Sequence, residues 1–222
     1  MSLKRLVLCS LLLATPAAAE QLPKPIPPAA VDEARRVADP EVAVLAGGCY
    51  WGMQAIFEHV RGVKAVVAGF SGMRASAEDS LIQSRDSTPA ESIRLEYDPG
   101  QITYGQILQI YFSVAHDPTE VDRQGPDEGP QYRSAIYYSN SDQKRMAEAY
   151  IKQLQSSGVF AGPISTEVVP FTAFHRVMES QQDYVQKNPA SPYVLNVDMP
   201  RIRALKVIFP DTYSDSPLTV SD

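Results

Sequence analysis

One thiol dominates the chemistry available to this chain. The 222 residues hold two cysteines, Cys9 in an apolar leader and Cys49 in the run Gly47-Gly48-Cys49-Tyr50-Trp51-Gly52. The paired glycines let the backbone turn tightly ahead of the cysteine, and Trp51, Ala55, Ile56 and Val60 follow at helical spacing, so a helix is predicted to start there. A thiol at a helix N-terminus faces unpaired N–H groups and the positive end of the dipole, so a lowered pKa and a nucleophilic thiolate are expected. The alternative is a buried cysteine acting as a small hydrophobe. Tyr50 and Trp51 beside a reactive thiol would offer apolar faces to a methyl or thioether group; without one they would be ordinary core residues.

The setting of Cys49 sharpens the question. Residues 1–19 combine Lys4 and Arg5, an apolar run from Leu6 to Leu13 and a small-residue stretch ending at Ala19, the pattern of a cleaved signal peptide. Cys9 lies inside that run rather than after it, which speaks against a lipid anchor. The protein is therefore expected to be periplasmic or secreted, without a membrane span. Cleavage would move the formal charge from −6 to −8 as the two basic residues leave. An acidic chain with no basic run argues against nucleic acid and anionic membranes as partners. Cys49 would then be the sole cysteine in an oxidising compartment, exposed to mispairing and overoxidation, and its presence calls for a chemical reason.

The elements that must position Cys49 follow from the pattern. Residues 20–40 are rich in Pro and Ala and predict an extended linker. Residues 41–212 form the expected domain, and residues 213–222 a polar tail that frays. Apolar runs at EVAVLAGG, VKAVVAGFSG, SIRLEYDPG, SAIYYSN and ISTEVVPF predict strands. Between them, Thr103 with Gln106 forms a capping box ahead of a helix carrying Ile107, Leu108, Tyr111, Phe112 and Ala115. Ser141 to Leu154 reads as a long amphipathic helix ending at Gly158, and ESQQDYVQKNP as a short helix stopped by Pro189. The alternation gives one α/β domain.

The run GGCYWGMQAIFEHVRGVKAVVAGFSG resembles the active-site signature of the A-type methionine sulfoxide reductases. PAESIRLEYDP, AHDPTEVDRQGPDEGPQYRSAIYY and QQDYVQKNPASPY resemble further segments of the same family, in order. The resemblance implies a two-layer α/β sandwich with a mixed β-sheet and a ferredoxin-like core. It also implies reduction of methionine-S-sulfoxide, in proteins or free, through a sulfenic acid at Cys49. By the same resemblance Glu91 is the acid, Asp127 and Tyr132 hold the sulfoxide oxygen, and Tyr50 and Trp51 hold the methyl group. A sulfoxide sulfur is a poor electrophile until its oxygen is protonated or held by strong donors, and a carboxyl in a partly apolar pocket keeps a proton to give.

Two departures from the family pattern stand out. A second tyrosine expected ahead of the Glu91 strand has no counterpart in SAEDSLIQSRDS, where Asp79 or Ser80 falls, and Tyr50 replaces the usual phenylalanine. No recycling cysteine follows Cys49, so an external reductant, a thioredoxin-like protein or a small thiol, is expected to regenerate it. No cofactor is implied, and one cysteine with three scattered histidines offers no metal-ligand pair. The working form is expected to be a monomer. Two other readings stay open: a Cys/His hydrolase or acyl transferase using His59, His116 or His175, each otherwise a surface or capping histidine, and a non-catalytic binder of oxidised methionine peptides.

Overall fold

The protein's structure, a computed structural model, describes residues 23–72 and 88–220. The signal-peptide reading and the segment lacking the second tyrosine lie outside these residues.

The chain enters its sheet through β1 (Glu41–Gly47) and turns into α1 (Tyr50–Glu58). It returns along β2 (Val63–Ser71) and β3 (Ala90–Tyr97) before α2 (Tyr104–Ile110). A small hairpin of β4 (Arg123–Gln124) and β5 (Asp127–Glu128) leads through a 3₁₀ turn at Pro130–Tyr132 into β6 (Ser134–Tyr138). Then follow α3 (Ser141–Ser157), β7 (Glu167–Pro170), β8 (Phe174–Arg176), α4 (Tyr184–Lys187) and α5 (Met199–Ile208). The main sheet has the order β7-β6-β1-β3-β2-β8, with β6 and β7 parallel and the other pairs antiparallel. Its four inner strands with α1 and α2 form a split βαβ pair, the ferredoxin-like arrangement, extended by an edge strand on each side.

Register explains where the core sits. Leu45 on β1 faces Ile93 on β3 and Ile136 on β6, and all three are fully buried with Met53, Ile56 and Phe57 of α1. Side chains one position out of phase, including Val44, Ala46, Ala90, Ala135 and Tyr137, form a smaller cluster on the opposite face. The capping box forms as read: Gln106 N–H donates to Thr103 Oγ1 at 3.2 Å, and Thr103 N–H to Gln106 Oε1 at 3.1 Å. Likewise α3 closes at Gly158, whose φ of +65° suits a left-handed C-cap.

Three expectations are corrected. Residues 23–40 are extended but not a free linker. Ile26 is buried, Tyr150 donates to the Pro27 carbonyl at 2.7 Å, and Asp32 and Glu33 accept the Gly105 and Tyr104 N–H groups at 2.8 Å. This strap supplies the acids that the N-terminus of α2 lacks in its own first turn. The polar tail does not fray from residue 213, because Ser214 and Leu218 donate to the carbonyls of His59 and Glu58 at 2.7 and 2.9 Å. The helix read over ESQQDYVQKNP is broken: a 3₁₀ turn at Glu179–Gln181 gives way to α4 only after Asp183, which has φ +51°. The apolar residues Ile202 to Ile208 lie on α5, which packs Ile202 and Leu205 into the core.

Candidate active site

Cys49 is placed by a turn that tolerates little else. Gly48 has φ +92°, and a Cβ there would fall 2.7 Å from Gln124 Cβ, so only glycine fits between strand and hairpin. Cys49 then occupies the N-cap of α1 and is 8 % exposed. The predicted strand-to-helix junction is present, yet its expected electrostatic result is reversed. The Trp51 N–H does favour the thiolate, but burial pushes the Cys49 thiol up more strongly, and the charges of Glu91, Asp198 and Asp127 add to that. The resting sulfur is a protonated thiol.

Glu91 reaches this thiol from β3, where it lies opposite Phe70 of β2. Its Oε2 accepts the N–H of Tyr50, the first residue of α1, at 3.0 Å. Burial raises its pKa to about 7; the Tyr50 N–H and a hydrogen bond with the Cys49 side chain oppose the shift, and the charge of Asp127 adds to it. A carboxyl poised there holds a proton in much of the population at neutral pH and can still release it.

Asp127 and Tyr132 arrive on the hairpin and the turn after it. Burial, then Glu91 and Asp127, raise the Tyr132 phenol, which keeps it a donor. Tyr193, given no role in the sequence reading, donates its hydroxyl to Asp127 Oδ2. Burial first, then the neighbouring Cys49 and Asp127, raise its pKa well beyond the usual phenol range. The only hint in the sequence was its place in QQDYVQKNPASPY, and a contact across 66 residues leaves no local trace.

The aromatic wall is held as firmly as the polar groups. Trp51 stacks on Tyr184 at 3.7 Å and 8°, meets Tyr193 edge-on at 5.8 Å, and donates its indole N–H to Gln181 Oε1 at 3.1 Å. Tyr50 packs edge-on against Phe70 at 5.8 Å. The structure therefore brings together all six residues singled out from the sequence, and adds Tyr193, Tyr184, Gln181, Phe70 and the buried Asp198.

None of the histidines serves the thiol. His59 caps α1, with Nδ1 2.7 Å from the Ser214 carbonyl and its ring stacked on Tyr213. His175 lies exposed on β8. His116 is buried, contrary to the surface or capping reading. Its ring nitrogens meet the Tyr111 carbonyl at 3.1 Å and Thr166 Oγ1 at 3.5 Å, and burial drops its pKa to about 3. A neutral imidazole committed elsewhere cannot form the ion pair a thiol hydrolase needs.

The family model for peptide methionine sulfoxide reductases matches residues 41–211, the span that carries this constellation. The chain belongs to that family. Among peptide methionine sulfoxide reductases, MsrA 2 of Synechocystis sp. is 51% identical over 176 residues, covering 79% of this chain and 80% of its own. MsrA of Thermus thermophilus is 38% identical over 170 residues, covering 76% of this chain and 95% of its own. The solved structure of methionine sulfoxide reductase A from Corynebacterium diphtheriae has a TM-score of 0.58 at 29% identity, covering 77% of this chain and 85% of its own. This methionine sulfoxide reductase shares its fold also with reduced Mxr1 of Saccharomyces cerevisiae, at a TM-score of 0.59, 23% identity and coverage of 73% and 92%.

Proposed function

We propose that this chain is an exported peptide-methionine (S)-S-oxide reductase in which Cys49 is the nucleophile and Glu91 the proton carrier. The observation that carries the assignment of roles is the pairing of a buried, protonated thiol with a carboxyl whose pKa is about 7 at the same helix N-terminus. Neither group would do alone. A thiol that holds its proton attacks poorly, and a carboxyl with no proton to give cannot release the sulfoxide oxygen.

Together they close the proton balance. The sulfoxide methyl lies against Tyr50 and Trp51, and its oxygen against Tyr132 and the Asp127–Tyr193 pair. Glu91 passes its proton to that oxygen and receives the thiol proton as the Cys49 sulfur attacks. The sulfur–oxygen bond breaks, methionine leaves, and Cys49 is left as a sulfenic acid carrying the transferred oxygen. Tyr193 offers a second phenol at the oxygen site, the role for which the sequence offered only Tyr132.

No cysteine follows Cys49 through Asp222, so an external thiol, small or on a thioredoxin-like protein, attacks the sulfenic sulfur, releases water, and a second thiol frees Cys49. The signal-like residues 1–19 support export, and with it repair outside the cytoplasm. Cys49→Ser in a dithiothreitol-driven assay with an S-sulfoxide peptide tests the reading: consumption should fall to background, and retained consumption would overturn it.

A further inference from the structure

Asp198 is the acid the sequence did not single out. It ends the widened turn Val194–Asp198 and leads into α5, and its side chain is 1 % exposed. Neither carboxyl oxygen has a hydrogen-bond partner among the described residues. Its Oδ1 lies 2.4 Å from where a Cβ on Gly52 would stand, so the glycine in Cys49-Tyr50-Trp51-Gly52 makes the room this carboxyl occupies. The acid is thus packed against the third residue of α1, one turn from the thiol at that helix's N-cap.

We propose that Asp198 is a positioning residue of this site, a sealed carboxyl whose charge sets how readily the Cys49 thiol gives up its proton. The proposal rests on Cys49 being the working sulfur. The α1 donors explain why the carboxyl is unsatisfied: the Tyr50 N–H goes to Glu91 and the Trp51 N–H favours Cys49, so neither is left for Asp198. A buried carboxylate with no hydrogen bonds is costly, and the group stays neutral until the pH forces it to ionise. Burial raises its pKa to about 7; Arg201 on α5 opposes the shift, and Asp127 on β5 adds to it. The other titratable groups that sense it are Cys49 and Tyr193, and both are raised. As pH climbs through neutrality a negative charge therefore grows beneath the helix turn that would otherwise welcome a thiolate. That charge keeps a lone thiol protonated, and hence slow toward peroxides and stray disulfides, while leaving the proton exchange with Glu91 intact.

The rate of iodoacetamide alkylation, followed at the Cys49 peptide by mass spectrometry from pH 6 to 9.5, reads this directly. Asp198→Asn, which preserves shape and removes the charge, should match the wild-type rate at pH 6 and exceed it by about three- to tenfold at pH 8.5, a displacement of half to one pH unit. Arg201→Gln, on the partly exposed face of α5, should move the wild-type break to higher pH, because the neutral acid then persists longer; this variant keeps the test open should the first fail to fold. Coincident profiles for the wild type and every folded variant, or a change of equal size at all pH values, would overturn the proposal. Sulfoxide consumption by Cys49→Ser decides the underlying assignment separately.

Discussion

At the scale of single residues, the site works by sharing protons rather than by presenting a ready thiolate. Burial raises both Cys49 and Glu91, so the thiol proton and the carboxyl proton exchange roles during the reaction. Because the useful form of Glu91 is the neutral acid, turnover at saturating substrate should decline as pH rises through about 7, with a slope of one proton. Glu91→Gln should lower turnover about a hundredfold or more and remove that limb; a pH–rate profile of the variant with the same descending limb would assign it to another group. Tyr193 donates to Asp127 from 66 residues along the chain. Tyr193→Phe removes one hydrogen bond to a charged acceptor and should lower kcat/KM on the order of tenfold without changing the melting temperature. Steady-state kinetics with one peptide sulfoxide checks it.

At the scale of elements, the helix ends carry most of the organisation. The N-terminus of α1 divides its first N–H groups between Glu91 and Cys49, while that of α2 is closed by Thr103, Asp32 and Glu33. The first arrangement leaves chemistry exposed to substrate; the second is purely stabilising. Asp32→Ala removes the acceptor for the Gly105 N–H and a partner of the Thr103 hydroxyl, and should cost about 1 kcal/mol in urea unfolding while leaving sulfoxide turnover unchanged. The capping box and the Gly158 stop were visible in sequence because each involves residues within one turn of chain. The strap over α2 was not, since Asp32 and Glu33 meet its first turn from 73 and 71 residues away.

At the scale of the whole molecule, three acids among the described residues are pushed furthest by burial. Glu91 and Asp198 have pKa values of about 7, and Glu58 about 8, its burial reinforced by the charge of Asp183. A folded-state pKa above the unfolded value means that the native protein binds more protons than the unfolded chain, so stability falls as pH rises through the window. Buried His116, near 3, acts in the opposite sense only below about pH 6.5, where the unfolded imidazole takes a proton. The melting temperature should therefore decrease between pH 6.5 and 8.5, and Glu58→Gln should flatten that decrease. Calorimetry across this range tests the sign; a melting temperature that rises would contradict the burial of these acids. Glu58 faces α4 and the tail, with Gln186 donating to its side chain at 3.4 Å and Leu218 N–H to its backbone carbonyl at 2.9 Å.

The chain by itself determined the order of the five longer strands β1, β2, β3, β6 and β7 and of α1 to α3, the turn at Gly47–Gly48, the thiol at the head of a helix, and the four ordered segments in which Glu91, Asp127 and Tyr132 are found. Those features depend on short-range periodicity, on turn chemistry and on motif order, all of which survive in one dimension. Tertiary packing alone decided the sign of the Cys49 shift, because the helix end and burial push in opposite directions and only the fold fixes how deeply the sulfur is sealed. It also decided that Tyr193 meets Asp127, that Asp198 lies against Gly52, and that residues 23–40 and 213–220 dock on the domain. Each of these is a contact between distant segments, whose energy comes from excluding water and so leaves no imprint on neighbouring residues.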